Sequence, residues 1–263
     1  LSIAAGAVQM GAKVVLLEGH KMGGDCLNYG CVPSKALIAS AKQAHAMSHG
    51  AKLGVSEVKA QVDYAAAKDH VHDVIATIAP LDSVERFEGL GVHVISEFGT
   101  FISKTEVQAG DNIIEARRFV VATGSGPFVP PIPGLDTVKH YTNEDIFDLR
   151  EKPKHLIVIG GGPIGMEMAQ AHRRLGCEVT VIEGMKAFGK DDPEMAEIVL
   201  ENLKAEGINI IEEAQAERIS GKGDLITVHT PKGDFTGSHL LMAVGRKVNT
   251  EKLDLDAGGI AHD

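Results

Sequence analysis

Residues 23 to 35 read GGDCLNYGCVPSK, which sets Cys26 and Cys31 five positions apart and Lys35 four positions beyond the second thiol. A cysteine pair at this spacing can hold a metal, close a structural disulfide, or open and close as a redox couple. Zinc needs about four ligands, and although His20 is near in sequence, no second cysteine pair or His-x3-5-His accompanies this one. A disulfide across so short a loop constrains the unfolded chain little. Two unrelated buried thiols form the remaining alternative. The residues around the pair favour redox work over these three. Pro33 suits a first helical turn, so Cys31 is expected at a helix N-terminus, where the dipole favours a thiolate. Lys35 at i+4 then carries its ammonium on the same face. Asn28 and Gly30 let the chain turn back between the cysteines.

A second stretch points to phosphate. KHLIVIGGGPIGMEMAQAHRRLGCEVTVIEG reads as a buried strand (155–159), Gly160-x-Gly162-x-x-Gly165, a helix to about Leu175, Gly176, a second strand and Glu183. Gly160 permits the tight turn, Gly162 lets backbone approach a pyrophosphate, and Gly165 lets the helix press on the sheet. The helix N-terminus offers amides and a positive dipole end to the phosphates. Glu183 is placed to accept from the adenosine ribose hydroxyls and to repel a 2′-phosphate, which favours NAD(H) over NADP(H). The competing reading of Glu183 is a solvated strand-end acid.

These residues need a scaffold, and the rest of the chain describes one. Residues 1–19 read as an Ala-rich helix to Met10, a Gly11 cap and a strand ending at Glu18. That strand resembles the second strand of another nucleotide fold whose glycine turn would precede Leu1. Residues 34–47 are helical in pattern. So are residues 64–91, with Val71, Val74, Ile75 and Ile78 on one face and Pro80 expected to kink or divide the helix. The runs VHVISEFGTFI, EVQAG, NIIEA and RRFVVATGS read as strands and hairpins. Prolines 127, 130, 131 and 133 stiffen a crossing segment, and a domain boundary is expected within about 20 residues downstream. The expected class is α/β, with two Rossmann-like dinucleotide-binding domains in three layers, an FAD-binding part at 1–149, an NAD-binding domain at 150–245 and a return at 246–263.

Composition narrows the partners. The chain has 263 residues, 44 % of them apolar and 24 % charged, with 30 glycines, as in α/β proteins with many tight turns. With 26 basic and 36 acidic residues the net charge is −10, which disfavours nucleic acid and anionic membranes. No uninterrupted apolar run is long enough for a membrane span. Three cysteines fit a reducing, cytoplasmic setting. Cys177 reads as packing and the histidines at 70 and 72 as helix surface.

The segments GGDCLNYGCVPSKAL, ATGSGPFVPPIPG, GGGPIGMEMA and AVGRKVNT, in this order and spacing, resemble the flavin-dependent pyridine nucleotide-disulfide oxidoreductases over nearly all 263 residues. The likeness is strongest to the dihydrolipoamide dehydrogenase and mercuric reductase branch. It implies that electrons pass among NAD(H), FAD, a Cys26/Cys31 disulfide and an external dithiol or disulfide. It makes Cys26 the interchange thiol, Cys31 the thiol against the flavin, Lys35 its neighbour, and Glu167 the partner of Lys35 near the nicotinamide. On residues alone, Glu167 reads equally as a first-turn acid complementing the helix dipole. The resemblance further places Glu18 on the flavin adenosine ribose and Gly24, Thr123 and Gly124 against FAD. Gly245 and Arg246 mark the return to the FAD domain. The chain departs from the family at Val248, where proline is frequent, and at Asp25, where threonine is frequent. The resemblance also implies a sequence truncated at both ends, with the His-Glu acid–base pair and the interface domain of a homodimer outside it. The alternatives are a metal-reducing enzyme like mercuric reductase and a non-catalytic NADH-binding or redox-sensing module.

Overall fold

The computed structural model describes residues 1–262, the side chain of Lys52 excepted. Its elements run in order through helix α1 (Ser2–Gln9), strand β1 (Val15–Leu17), α2 (Gly24–Asn28), α3 (Cys31–Met47), α4 (Tyr64–Ile78) and α5 (Val84–Gly89). Strands β2 (His93–Ile95), β3 (Gly99–Ser103), β4 (Glu106–Ala109), β5 (Asn112–Glu115) and β6 (Ser125–Pro127) follow. Next come β7 (His155–Ile159), α6 (Pro163–Arg174), β8 (Glu178–Ile182), α7 (Pro193–Ala205) and β9 (Asn209–Ile211). The last strands are β10 (Arg218–Lys222), β11 (Leu225–Thr230), β12 (Gly233–Gly237), β13 (His239–Met242) and β14 (Arg246–Val248). Two compact units result. The first contains Leu1–Asn28, Ile75–Gly126 and the residues from Lys247 on; the second contains Tyr29–Val74 and Pro127–Arg246.

In the first unit β1 pairs parallel with β2, Leu16 opposite Val94. Ala4, Phe87, Val92 and Val94 form the small core beneath them, with Val14, Leu16 and Met22 packed against it. Strands β3, β4 and β5 make a separate antiparallel sheet. Pro80 divides the helical stretch: α4 stops at Ile78, a 3-10 turn covers Ala79–Asp82, and α5 restarts on Ser83, whose hydroxyl accepts from the Arg86 amide. The expected strand in RRFVVATGS does not form before Ser125, and Val120 and Val121 are exposed. An extended apolar run becomes a strand only beside a neighbour that takes its backbone groups, and residues 117–124 have no ladder partner among the described residues.

The second unit is built on a parallel sheet in the order β13-β7-β8-β9. Leu156, Ile157 and Val158 of its central strand are fully buried, which is why β7 reads as a continuous apolar run instead of an alternating one. α6 returns from β7 to β8, and α3 packs on α6. The antiparallel sheet β10-β11-β12 sends Ile219, Ile226 and Val228 into the same core as Ile157, Ile182 and Leu240. On α4 the buried stripe is Tyr64, Lys68 and Val71, while the expected Val74, Ile75 and Ile78 are only half-buried.

Candidate functional site

Helix α3 begins at Cys31, with Gly30 as its N-cap and no side chain capping it. Pro33 is its third residue, where a missing N–H costs nothing, and the Ser34 amide closes the first turn on the Gly30 carbonyl at 3.0 Å. Cys31 is exposed at that helix start. Cys26 is exposed on the short α2. There Asn28 Nδ2 donates to the carbonyls of Gly24 at 2.8 Å and Met22 at 3.1 Å. Neither thiol is in a disulfide, and the division between units falls between Asn28 and Tyr29, so each unit carries one member of the pair.

One turn along α3, the Lys35 ammonium donates to Glu167 Oε2 at 2.6 Å. Glu167 lies on α6, one turn past the glycine-rich bend, so the α3–α6 packing carries the cysteine helix and the nucleotide-type helix together.

The bend itself is closed at two glycines and open at the third. Gly160 has φ +116°, and a Cβ there would meet the Ala243 carbonyl oxygen at 2.3 Å. A Cβ on Gly165 would lie 2.1 Å from the Gly160 oxygen. At Gly162, the N-cap of α6, a Cβ would face open space, and no side chain caps the helix amides. Glu183 directly follows β8 with both carboxylate oxygens engaged, one by the Gly161 amide at 2.6 Å and the other by the Met185 amide at 2.8 Å. An uncapped helix N-terminus, a clear approach at Gly162 and an acid at the end of the next strand fit the diphosphate and ribose of a dinucleotide.

Of the residues expected around a flavin, Glu18, Gly24, Thr123 and Gly124 lie in the first unit, and Cys31, Lys35, Gly245 and Arg246 in the second. Glu18 follows β1 and accepts the His20 amide at 2.8 Å. Gly24 and Gly124 have φ +59° and +71°, with nothing within 4 Å of a Cβ at either. The carbonyls of Thr123 and Gly124 accept from the Asn249 side chain at 3.1 Å and its amide at 3.0 Å, which ties that turn to the end of the chain. Both glycines leave backbone accessible, as a bulky planar cofactor requires. Gly245 has φ +137° with its carbonyl accepting from Phe128, and Arg246 opens β14.

Sequence reasoning missed a buried polar group in the second unit. Lys68 is fully buried, its ammonium donating to the Ile146 carbonyl at 2.9 Å and lying 5.2 Å from the Tyr64 ring centroid. Burial pushes its pKa down to about 7. His172 is also fully buried, its Nδ1 bonded to the Met168 carbonyl at 2.7 Å, and burial first and the Lys68 charge second push it down to about 3. Tyr64 Oη and His172 Nε2 have no hydrogen-bond partner. Cys177, read as packing, is buried, and burial raises its thiol to about 11. The signal for Lys68 was its i+4 and i−3 spacing to Tyr64 and Val71. No group of three or more His, Cys, Asp or Glu side chains able to hold a metal occurs among the described residues, and none of their helices is long and apolar enough to cross a membrane.

Comparison with known proteins adds the context. A mercuric reductase from Bacillus cereus is 34 % identical over 264 residues, covering 98 % of this chain and 42 % of that protein. One from Streptomyces lividans is 33 % identical, covering 98 % and 56 %. The chain thus spans about half the length of the curated relatives it matches. Among solved structures, the HOCl-induced flavoprotein disulfide reductase RclA from Escherichia coli superposes with a TM-score of 0.86 at 28 % identity, covering 100 % of this chain and 57 % of that one. LpdA from Mycobacterium tuberculosis gives 0.85 at 27 %, covering 99 % and 58 %. The family profile described as pyridine nucleotide-disulphide oxidoreductase matches residues 1–263. With that match and the α/β architecture in agreement, the chain belongs to the pyridine nucleotide-disulfide oxidoreductases, a family that uses FAD and NAD(P)H.

Proposed function

We propose that this chain carries the redox core of a cytoplasmic disulfide oxidoreductase that moves electrons between NAD(H) and a dithiol or disulfide substrate, most like dihydrolipoamide dehydrogenase. Residues 1–149 and the return at 246–263 would serve FAD, residues 150–245 NAD, and the full-length protein would be a homodimer. The observation that supports this reading is the cysteine-headed helix α3 packed on the glycine-turn helix α6 and joined to it by the Lys35–Glu167 pair. Glu18, Gly24, Thr123, Gly124, Gly245 and Arg246 would hold FAD; Gly160, Gly162, Gly165 and Glu183 would hold NAD. When bound, the flavin supplies a two-electron link between the nicotinamide and the cysteine pair.

The chain's own residues do the thiol chemistry. The Cys26 thiolate attacks one sulfur of the substrate disulfide, forming a mixed disulfide and releasing one substrate thiolate, which takes a proton. The Cys31 thiolate then attacks the Cys26 sulfur. A Cys26–Cys31 disulfide forms and the second substrate thiol leaves, so the substrate gains the two electrons that the pair loses. In the opposite direction a dithiol is oxidised by the same exchanges. Lys35 supplies a cation along α3, and Glu167 orients it.

A second reading has specific support in the relatives named mercuric reductase: the same core reducing a thiol-bound mercuric ion. NADH oxidation by the FAD-loaded protein, followed with oxidised lipoamide and with mercuric ion in excess thiol, separates the two. We expect lipoamide turnover, reduced about 1,000-fold or more in both Cys26→Ser and Cys31→Ser. A long-wavelength absorption band from a thiolate against the flavin should persist in Cys26→Ser and vanish in Cys31→Ser. Turnover of mercuric ion alone would replace the first reading with the second. A protein without flavin bands whose cysteines do not react as a pair would overturn both.

A further inference from the structure

On one face of the β10–β11–β12 sheet, three side chains are joined in a line. Ser220 Oγ lies 2.8 Å from His229 Nε2, and His229 Nδ1 lies 2.8 Å from Asp234 Oδ1. Each strand supplies one member: His229 and Asp234 face each other directly, and Ser220 stands two residues beyond Arg218, the other cross-strand partner of His229. The chemistry of the end groups sets the direction of the hydrogen bonds. An ionised carboxylate only accepts, so the Nδ1 facing it bears hydrogen; in the neutral ring Nε2 is then the acceptor, and the Ser220 hydroxyl donates. A hydroxyl donating to an imidazole whose other nitrogen is oriented by a carboxylate is the arrangement that activates a serine nucleophile, whatever fold carries it.

The surroundings make the line both firm and accessible. The opposite face of the sheet anchors Ile219, Ile226 and Val228 in the core, so the three strands are held in register from below. His229 keeps 21 % of its side chain exposed and Asp234 62 %. Arg218 and Lys222, two residues either side of Ser220, stand on the same face of β10, and both are exposed. Two cations beside the nucleophile favour an acyl donor with a negative charge.

We propose that Ser220 is the nucleophile of an acyl-transfer site, with His229 as its general base and Asp234 as the positioning residue, acting on small activated carboxylic esters that carry an anionic group. This site is independent of the cysteine chemistry. In the first step a bond forms between Ser220 Oγ and the acyl carbon, the bond from that carbon to the leaving oxygen breaks, and the serine proton passes through His229 Nε2 to the leaving group. Water then attacks the acyl carbon, giving its proton to His229, and the carboxylic acid departs as Ser220 recovers its hydrogen. On an open sheet face the gain rests mainly on the base, so an effect near the lower end of the usual range for general bases, about 100-fold, is expected.

The test uses 4-nitrophenyl hemisuccinate and 4-nitrophenyl acetate on the purified chain, following nitrophenolate release and the mass of the peptide holding Ser220. We expect that peptide to gain the acyl mass. Hemisuccinate should react faster than acetate at low salt, the advantage fading at high salt. Ser220→Ala should abolish acylation of that peptide and His229→Gln should slow it about 100-fold. Asp234→Asn should change the pH profile of acylation, which a purely structural role would leave intact. A fluorophosphonate applied to the unaltered protein gives a readout free of any folding defect in the variants and should label Ser220. Labelling absent or confined to other residues, or acylation unchanged in His229→Gln, would overturn the nucleophile–base assignment; equal rates for the two esters at low salt would overturn the substrate class.

Discussion

Two acids, one in each unit, close the same small turn at a strand end. Glu18 accepts the amide of His20 and Glu183 the amide of Met185, both two residues on and both at 2.8 Å. Glu183 accepts a second amide, from Gly161 in the glycine bend. The cores below them differ as well. The buried polar side chains among the described residues, Ser34, Lys68, His172, Thr180 and Thr230, all belong to the second unit, while Ala4, Leu27, Phe87, Val92, Val94 and Phe101, buried in the first, are apolar. The same local acid turn therefore sits on two kinds of support. One glycine bend is locked by backbone against backbone, whereas Gly24 and Gly124 of the first unit have room around them.

The largest expected effect tests that contrast. Gly160→Ala combines a positive φ with a clash against the Ala243 carbonyl, and should cost the second unit about 3 kcal/mol or more. Gly24→Ala meets the φ penalty alone, about 1 kcal/mol. Amide exchange read separately on β7 and β1 measures both, and equal losses would erase the distinction.

The next effect is a pH dependence confined to the second unit. Unfolded, Lys68 binds its proton up to about pH 10.5; folded, burial releases it near 7. Between these values the unfolded state holds more protons, so stability rises with pH from about 7 towards 9 or 10, by an amount on the order of a few kcal/mol. His172 adds the same sign between about pH 3 and 6.5. Lys68→Met should flatten the upper rise in amide exchange on α4 and β7 while leaving β1 unmoved. A rise that survives the substitution would assign the effect elsewhere.

The smallest effect should be equal in both units. Asp192 caps α7 through the amides of Glu194 and Met195, and Ser83 caps α5 through Arg86. Replacing either by alanine should cost about 0.5–2 kcal/mol in urea unfolding, and a cost confined to one unit would mean that local capping is not shared between them.

What the sequence made legible was what is local. The strand, glycine bend and helix over 155–183 and the start of α3 beside Pro33 follow from spacings of a few residues. The partner of buried Lys68 is a carbonyl 78 positions away, which its helical spacing to Tyr64 and Val71 does not reveal, and the Ser220–His229–Asp234 line depends on strand register. The run at 117–124 had the composition of a strand but no ladder to join. Lys35 and Glu167 are 132 positions apart, and their association was reached from resemblance to a family, not from the pattern of residues.

That pair also has a consequence in time. Its side chains are 60 % and 42 % exposed, so water and salt compete for both ends. Exposed ion pairs are typically worth at most about 1 kcal/mol, which leaves at least roughly one molecule in six with the contact broken at any moment. Lys35 thus exchanges between the contact and open rotamers, and an arriving anion competes with Glu167 for its ammonium at little cost.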